Sequence, residues 1–66
     1  MNVRPLTERE RQVARLVLEG LRNKMIAQRL SIAESTVKMH LRSVFDKLAI
    51  RNRTELVQYV QRHGPI

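Results

Sequence analysis

The apolar residues of this 66-residue chain recur at helical rather than strand spacing. Val13, Leu16, Val17 and Leu21 fall at i, i+3, i+4 and i+8, one face of a helix. Ile26, Ala27 and Leu30 form a second, shorter face. Val37, Leu41, Val44 and Leu48 repeat at i, i+4, i+7 and i+11 and mark the inward stripe of a third helix. Leu56, Val57 and Val60 belong to a fourth, with Tyr59 offset from them. No stretch alternates with period two. The pattern predicts a compact all-α domain of four helices, about 13, 7, 15 and 10 residues long.

Local signals set the boundaries. Thr7 and Glu10 spell the capping box T-x-x-E, which opens the first helix. Leu6 precedes the cap, where an apolar staple would sit, but its partner position holds Arg11. Arg11 is expected to face water with Glu8, Arg9 and Arg15. The helix should run to about Glu19, with Gly20 as its left-handed stop. Asn23 reads as the N-cap of the second helix, Lys24 to Leu30. Ser31-Ile32-Ala33 then makes a tight turn without glycine, so a left-handed Ser31 would carry some strain. Ile32 would plug the corner, and Ala27 is small enough to let two helices cross closely. The third helix should start at Glu34 behind Ala33, a cap without a side-chain acceptor and weaker than Ser or Thr by roughly 1 kcal/mol. Glu34 partly compensates through the helix dipole. After Leu48 a short link with a buried Ile50 leads to Asn52, which caps the fourth helix. Glu55 there repeats the capping-box spacing, and the helix should reach about Gln61 before His63-Gly64-Pro65 ends it. Residues 1–5 read as a linker or tag remnant, 6–62 as the domain and 63–66 as a tail.

Charge adds the second layer. The net charge is +7, and residues 22–53 alone carry +6 while the flanking segments are near neutral. The cations therefore gather on the second and third helices and the link after them, as a polyanion partner requires. The chain contains no cysteine, which removes disulfides and cysteine-based zinc sites. Apolar runs do not exceed three residues, so no membrane span is expected, and the N-terminus lacks the apolar core of a signal peptide. A soluble protein of the cytosol or nucleoid is the expectation.

The third helix carries the candidate chemistry. Opposite its apolar stripe lie Ser35, Lys38, Met39 and Arg42, spaced i, i+3, i+4 and i+7, with no acid before Asp46. A helix apolar on one side and polybasic on the other suits the major groove of DNA. Arg42 can meet guanine O6 and N7 bidentately, whereas Lys38 is a less directional donor. A lone exposed Met usually means nothing. Met39, set between two cations, is a candidate for a base edge or a thymine methyl. Ser35 and Thr36 in the first turn could bind a phosphate. Arg22, Lys24, Arg51 and Arg53 flank this helix as phosphate clamps, supplying affinity more than specificity. His40 has no partner at metal or nucleophile spacing and suits packing or a hydrogen bond to phosphate. No nucleophile–base pair, carboxylate pair, glycine-rich phosphate loop or metal cluster is present, so no enzyme, cofactor or metal is expected. One Tyr, one Phe and no Trp leave little stacking surface for RNA. Leu56, Val57, Tyr59 and Val60 exceed what one inward stripe needs. They either close the core or pair two copies, which would place half-sites roughly 34 Å apart.

The stretches LTERERQV, EGLRNKMIAQRL, SIAESTVKMH and the following KL-I--R, in that order over residues 6 to about 61, resemble the C-terminal DNA-binding domain of LuxR-type regulators. NKMIA and ESTVK in particular are close to those of the NarL/FixJ kind of response regulator. The resemblance implies a four-helix fold whose second and third helices form a helix-turn-helix. It implies that the third helix enters the major groove of double-stranded DNA and that the fourth commonly supports a homodimer. On matching positions Lys38, Met39 and Arg42 would face bases. Thr36, Asn23 and Lys24 would touch phosphates, and Arg53 would lie near the DNA backbone or brace the fold. Ala33 and Ser31 depart from the Ser or Thr and the Gly frequent at these turn positions. Such domains usually follow a receiver or ligand-binding domain, so an excised effector domain is favoured over a stand-alone regulator. Two other readings compete: a promoter binder like region 4 of a sigma factor, which shares an LTxRER-like opening, and a basic-helix module docking on an acidic protein.

Overall fold

The computed structural model describes residues 5–66. Residues 1–4, and with them most of the expected linker, lie outside the described part. Four helices follow in order: α1 (Glu8–Leu18), α2 (Asn23–Leu30), α3 (Glu34–Leu48) and α4 (Arg53–His63). Among the described residues there is no strand, and no helix is long and apolar enough to cross a membrane.

α1 begins with the full capping box. Thr7 Oγ1 accepts from the Glu10 amide at 3.1 Å, and the Thr7 amide donates to Glu10 Oε1 at 2.8 Å. Its end is a Schellman closure: the Gly20 amide reaches Val17 O at 2.9 Å and the Leu21 amide reaches Leu16 O at 3.2 Å, with Gly20 at φ 92°. The same pair of bonds closes α2, through Ser31 and Ile32, and α3, through Ala49 and Ile50. Those two turns are made without glycine. Ser31 and Ala49 both sit at φ 57°, the left-handed region that disfavours a Cβ. The strain expected at Ser31 is therefore present, and Ala49 carries a second instance that the sequence did not flag.

Two caps differ from expectation. Arg22, extended and without a side-chain bond, is the N-cap of α2, and Asn23 is already the first helical residue. The reason is that the Asn23 carboxamide is engaged elsewhere, as described below. At α4, Asn52 Oδ1 accepts from the Glu55 amide at 2.9 Å, but the Glu55 carboxylate accepts from the Arg51 amide at 2.7 Å and not from Asn52. Only half of the second capping box forms. Ala33 caps α3 with no side-chain bond, as its methyl group requires.

The core is drawn from all four helices: Val13, Ala14 and Val17, then Ile26 and Ala27, then Val37, Leu41 and Val44, and finally Leu56. α3 lies at the centre, packed on α1 and α2, while α4 closes over α1. The predicted stripe of α3 is the buried one, with Leu48 half-buried at its end. Leu16 on α1 and Leu21 just beyond its end are only half-buried, and Ala14 and the carboxylate of Glu10 occupy the interior instead. Arg11 is half-buried rather than solvated, its guanidinium donating to Leu6 O at 3.3 Å. α4 runs two residues past Gln61, and its last residue His63 stacks on Tyr59 with ring centroids 4.3 Å apart. Ile66 packs at the edge of the core, and its carbonyl accepts two bonds from Arg15.

Among the described residues, Glu10 is the one buried charge. Its Oε1 accepts from Lys47 Nζ at 2.8 Å, and its Oε2 from Ser43 Oγ. Burial by itself would raise its pKa. The Lys47, Ser43 and Thr7 hydrogen bonds and the Lys47 charge outweigh that and hold it at about 2. This network ties the start of α1 to the C-terminal half of α3 and so fixes the angle at which α3 is presented.

Candidate nucleic-acid interface

The burial of Val37, Leu41 and Val44 forces the opposite face of α3 outward. Ser35, Lys38, Met39 and Arg42 are all exposed. Met39 is 70% exposed, the highest value among the large apolar residues described. Among the described residues, the side chains of Ser35, Lys38 and Arg42 make no hydrogen bond or ion pair. Their polar ends are free for a ligand. Thr36 is half-buried beside them.

The link after α3 and the first residue of α4 bring further cations to this face. Lys38, Arg42, Arg51 and Arg53 line a shallow depression of about 470 Å³ floored by Leu41, Phe45 and Ile50, with Asn23 on one rim and Asp46 on another. Lys24 and Arg51 are exposed. Arg53 is different. It is half-buried, its Nη1 donates to Leu21 O at 3.0 Å, and its Nη2 donates to Asn23 Oδ1 at 2.5 Å. Arg53 and Asn23 thus hold each other, bracing the first residue of α4 against the start of α2. This is the bond that takes Asn23 away from capping.

Lys47 also leaves the basic set. It lies on α3, but its ammonium turns inward to Glu10, with only 11% of the side chain exposed. The segment charge read from the sequence therefore overstates the face that solvent sees. Nothing in the linear order marks Lys47 as the exception. Its partner lies 37 residues away, and Glu10 also has a local role in the capping box of α1. The α4 candidates separate likewise. Leu56 is fully buried, Tyr59 and Val60 are half-buried, and Val57 is 41% exposed. Among the described residues no cluster of three His, Asp or Glu side chains could hold a metal ion.

A sequence model of the family described as "Bacterial regulatory proteins, luxR family" matches residues 4–60. The chain belongs to this family. The family is one of transcription regulators and not a class of enzymes. Among curated relatives, this LuxR-family domain is 44% identical over 61 residues to the nitrate/nitrite response regulator protein NarL of Escherichia coli K12, covering 92% of the chain and 28% of NarL. It is 54% identical over 52 residues to the monoamine regulon transcriptional regulator of Klebsiella aerogenes, covering 79% of the chain and 23% of that protein. Among solved structures, the response regulator ChrA of a heme-sensing two-component system superposes with a TM-score of 0.88 at 32% identity, over 100% of this chain and 33% of ChrA. The response regulator StyR gives 0.82 at 47% identity, over 86% of this chain and 29% of StyR. The LuxR-family domain thus spans about a quarter to a third of the proteins it matches. Its fold is that of response-regulator helix-turn-helix domains, with α2 and α3 as the two helices of the motif.

Proposed function

We propose that this LuxR-family domain binds duplex DNA sequence-specifically, with α3 lying in the major groove. The observation that carries the reading is the outward face of α3, where Lys38 and Arg42 are exposed, unpaired among the described residues and separated by the apolar Met39. Lys38, Met39 and Arg42 contact bases. Ser35, Thr36, Lys24 and Arg51 contact phosphates, and the uncapped start of α2 adds free amides. Asn23 and Arg53 stand at the same rim and act there mainly by holding each other, with the remaining guanidinium edge toward the phosphate backbone.

Two copies pair through α4, with Val57, Tyr59 and Val60 at the contact and Leu56 supporting it from below. The domain measures 34 × 21 × 18 Å. Such a pair would place its two α3 helices in successive major grooves, roughly 34 Å apart. The domain serves as the effector part of a two-component response regulator, downstream of a receiver domain, in the bacterial cytoplasm at the nucleoid.

Lys38→Ala and Arg42→Ala should each lower affinity for a selected duplex by roughly 1–3 kcal/mol. For the parent, the logarithm of affinity should fall by several units per decade of salt. Fluorescence anisotropy measures both. A flat salt response, or variants that bind as tightly as the parent, overturns the proposal.

A further inference from the structure

We infer, resting on the groove-reading role proposed for α3, that the half-site contains a thymine whose C5 methyl meets Met39, with a guanine read by Arg42 within two base pairs of it. The argument starts from Met39. It is 70% exposed, and its neighbours on that face are a hydroxyl and two cations. An apolar side chain gains nothing from the N7, O6, N6, N4 and O4 atoms that otherwise line the major groove. The apolar group presented there is the thymine methyl. A thioether on an unbranched chain adapts to it without a fixed pocket.

Arg42 supplies the second letter. Its guanidinium is exposed and without a hydrogen bond among the described residues, whereas those of Arg15 and Arg53 are committed to backbone oxygens. It follows Met39 by three residues on the same face, about 4.5 Å further along the axis. Base pairs stack every 3.4 Å or so. The two side chains therefore reach neighbouring or next-neighbouring steps. Guanine is the base that accepts both arms of the fork through O6 and N7. Lys38 lies one turn before Arg42 and about 40° from it around the helix, and its ammonium is a less directional donor to a base beside that guanine.

The test begins by selecting bound duplexes from a random pool with the 66-residue chain. Each thymine of the selected site is then replaced by deoxyuridine, which deletes the methyl alone, and each guanine by 7-deazaguanine, which deletes N7. For the parent, deoxyuridine at one position per half-site should weaken binding about fourfold, the equivalent of one buried methyl group. Met39→Ala should bind the thymine and deoxyuridine duplexes equally, while Met39→Leu keeps the difference. Arg42→Ala should become indifferent to 7-deazaguanine at one position nearby. A site that binds tightly yet tolerates deoxyuridine everywhere, or a deoxyuridine loss that persists in Met39→Ala, overturns the base assignment and leaves groove reading intact. A pool that yields no preferred sequence overturns both.

Discussion

Replacing Glu10 with Gln removes one charge and little else. The carboxamide keeps the volume of the carboxylate and an oxygen for the Thr7 amide, but Lys47 Nζ, 2.8 Å away, loses its counter-ion. Its other acceptor is Pro5 O at 3.3 Å. The Glu10 carboxyl is held below its ordinary 4.5, at about 2, so its charged form favours the folded state. Breaking a buried pair from one side costs about 3–5 kcal/mol. A domain of this length has roughly 3–10 kcal/mol in total, and Glu10→Gln should therefore lower its melting temperature by more than about 10 °C. Far-UV circular dichroism during thermal and urea unfolding measures this. Because the folded pKa lies below the unfolded one, the stabilisation is complete above 4.5 and is lost as the pH falls toward 2. Parent and Glu10→Gln should therefore differ at neutral pH and converge in acid. The double variant Glu10→Gln, Lys47→Met should recover part of the loss, since no unpaired ammonium remains. A single variant that melts within a degree or two of the parent, or a gap between the two that stays constant down to pH 2, refutes the buried pair as a source of stability.

Three further outcomes follow from the fold. Ala49→Gly should stabilise the domain by about 1 kcal/mol in urea titration, because Ala49 sits at φ 57° with a Cβ that glycine lacks; a loss of stability would show the turn to be unstrained. Val37→Asp should abolish the cooperative melt, since Val37 is fully buried and has no cation within the core; retained helicity and melting temperature would contradict the face assignment of α3. Arg53→Met should cost about 1–3 kcal/mol by leaving Leu21 O and Asn23 Oδ1 without their donor. A double-mutant cycle with Asn23→Ala should show coupling, and additive losses would mean that the brace does not exist.

Much of this molecule is local physics and could be read directly. The T-x-x-E box placed the start of α1, Gly20 placed its end, and the i, i+4, i+7 spacing of Val37, Leu41 and Val44 decided which side of α3 turns inward. Because a helix has only two sides, the same spacing decided that Ser35, Lys38, Met39 and Arg42 turn outward. The extended resemblance carried the family. What the chain order could not decide were partnerships between distant residues with more than one local option. Glu10 can serve as a capping residue and as a buried counter-ion, and only the packing of α1 on α3 shows that it is both. Lys47 and Arg42 are equivalent cations in the sequence. A rotation of about 140° around the helix axis sends one to Glu10 and leaves the other free. Asn23 could have capped α2, but Arg53 arrives from 30 residues away and claims its carboxamide. Periodicity sets which face a residue occupies, whereas its partner is set by which elements meet there, and that is fixed only when the four helices close on one core.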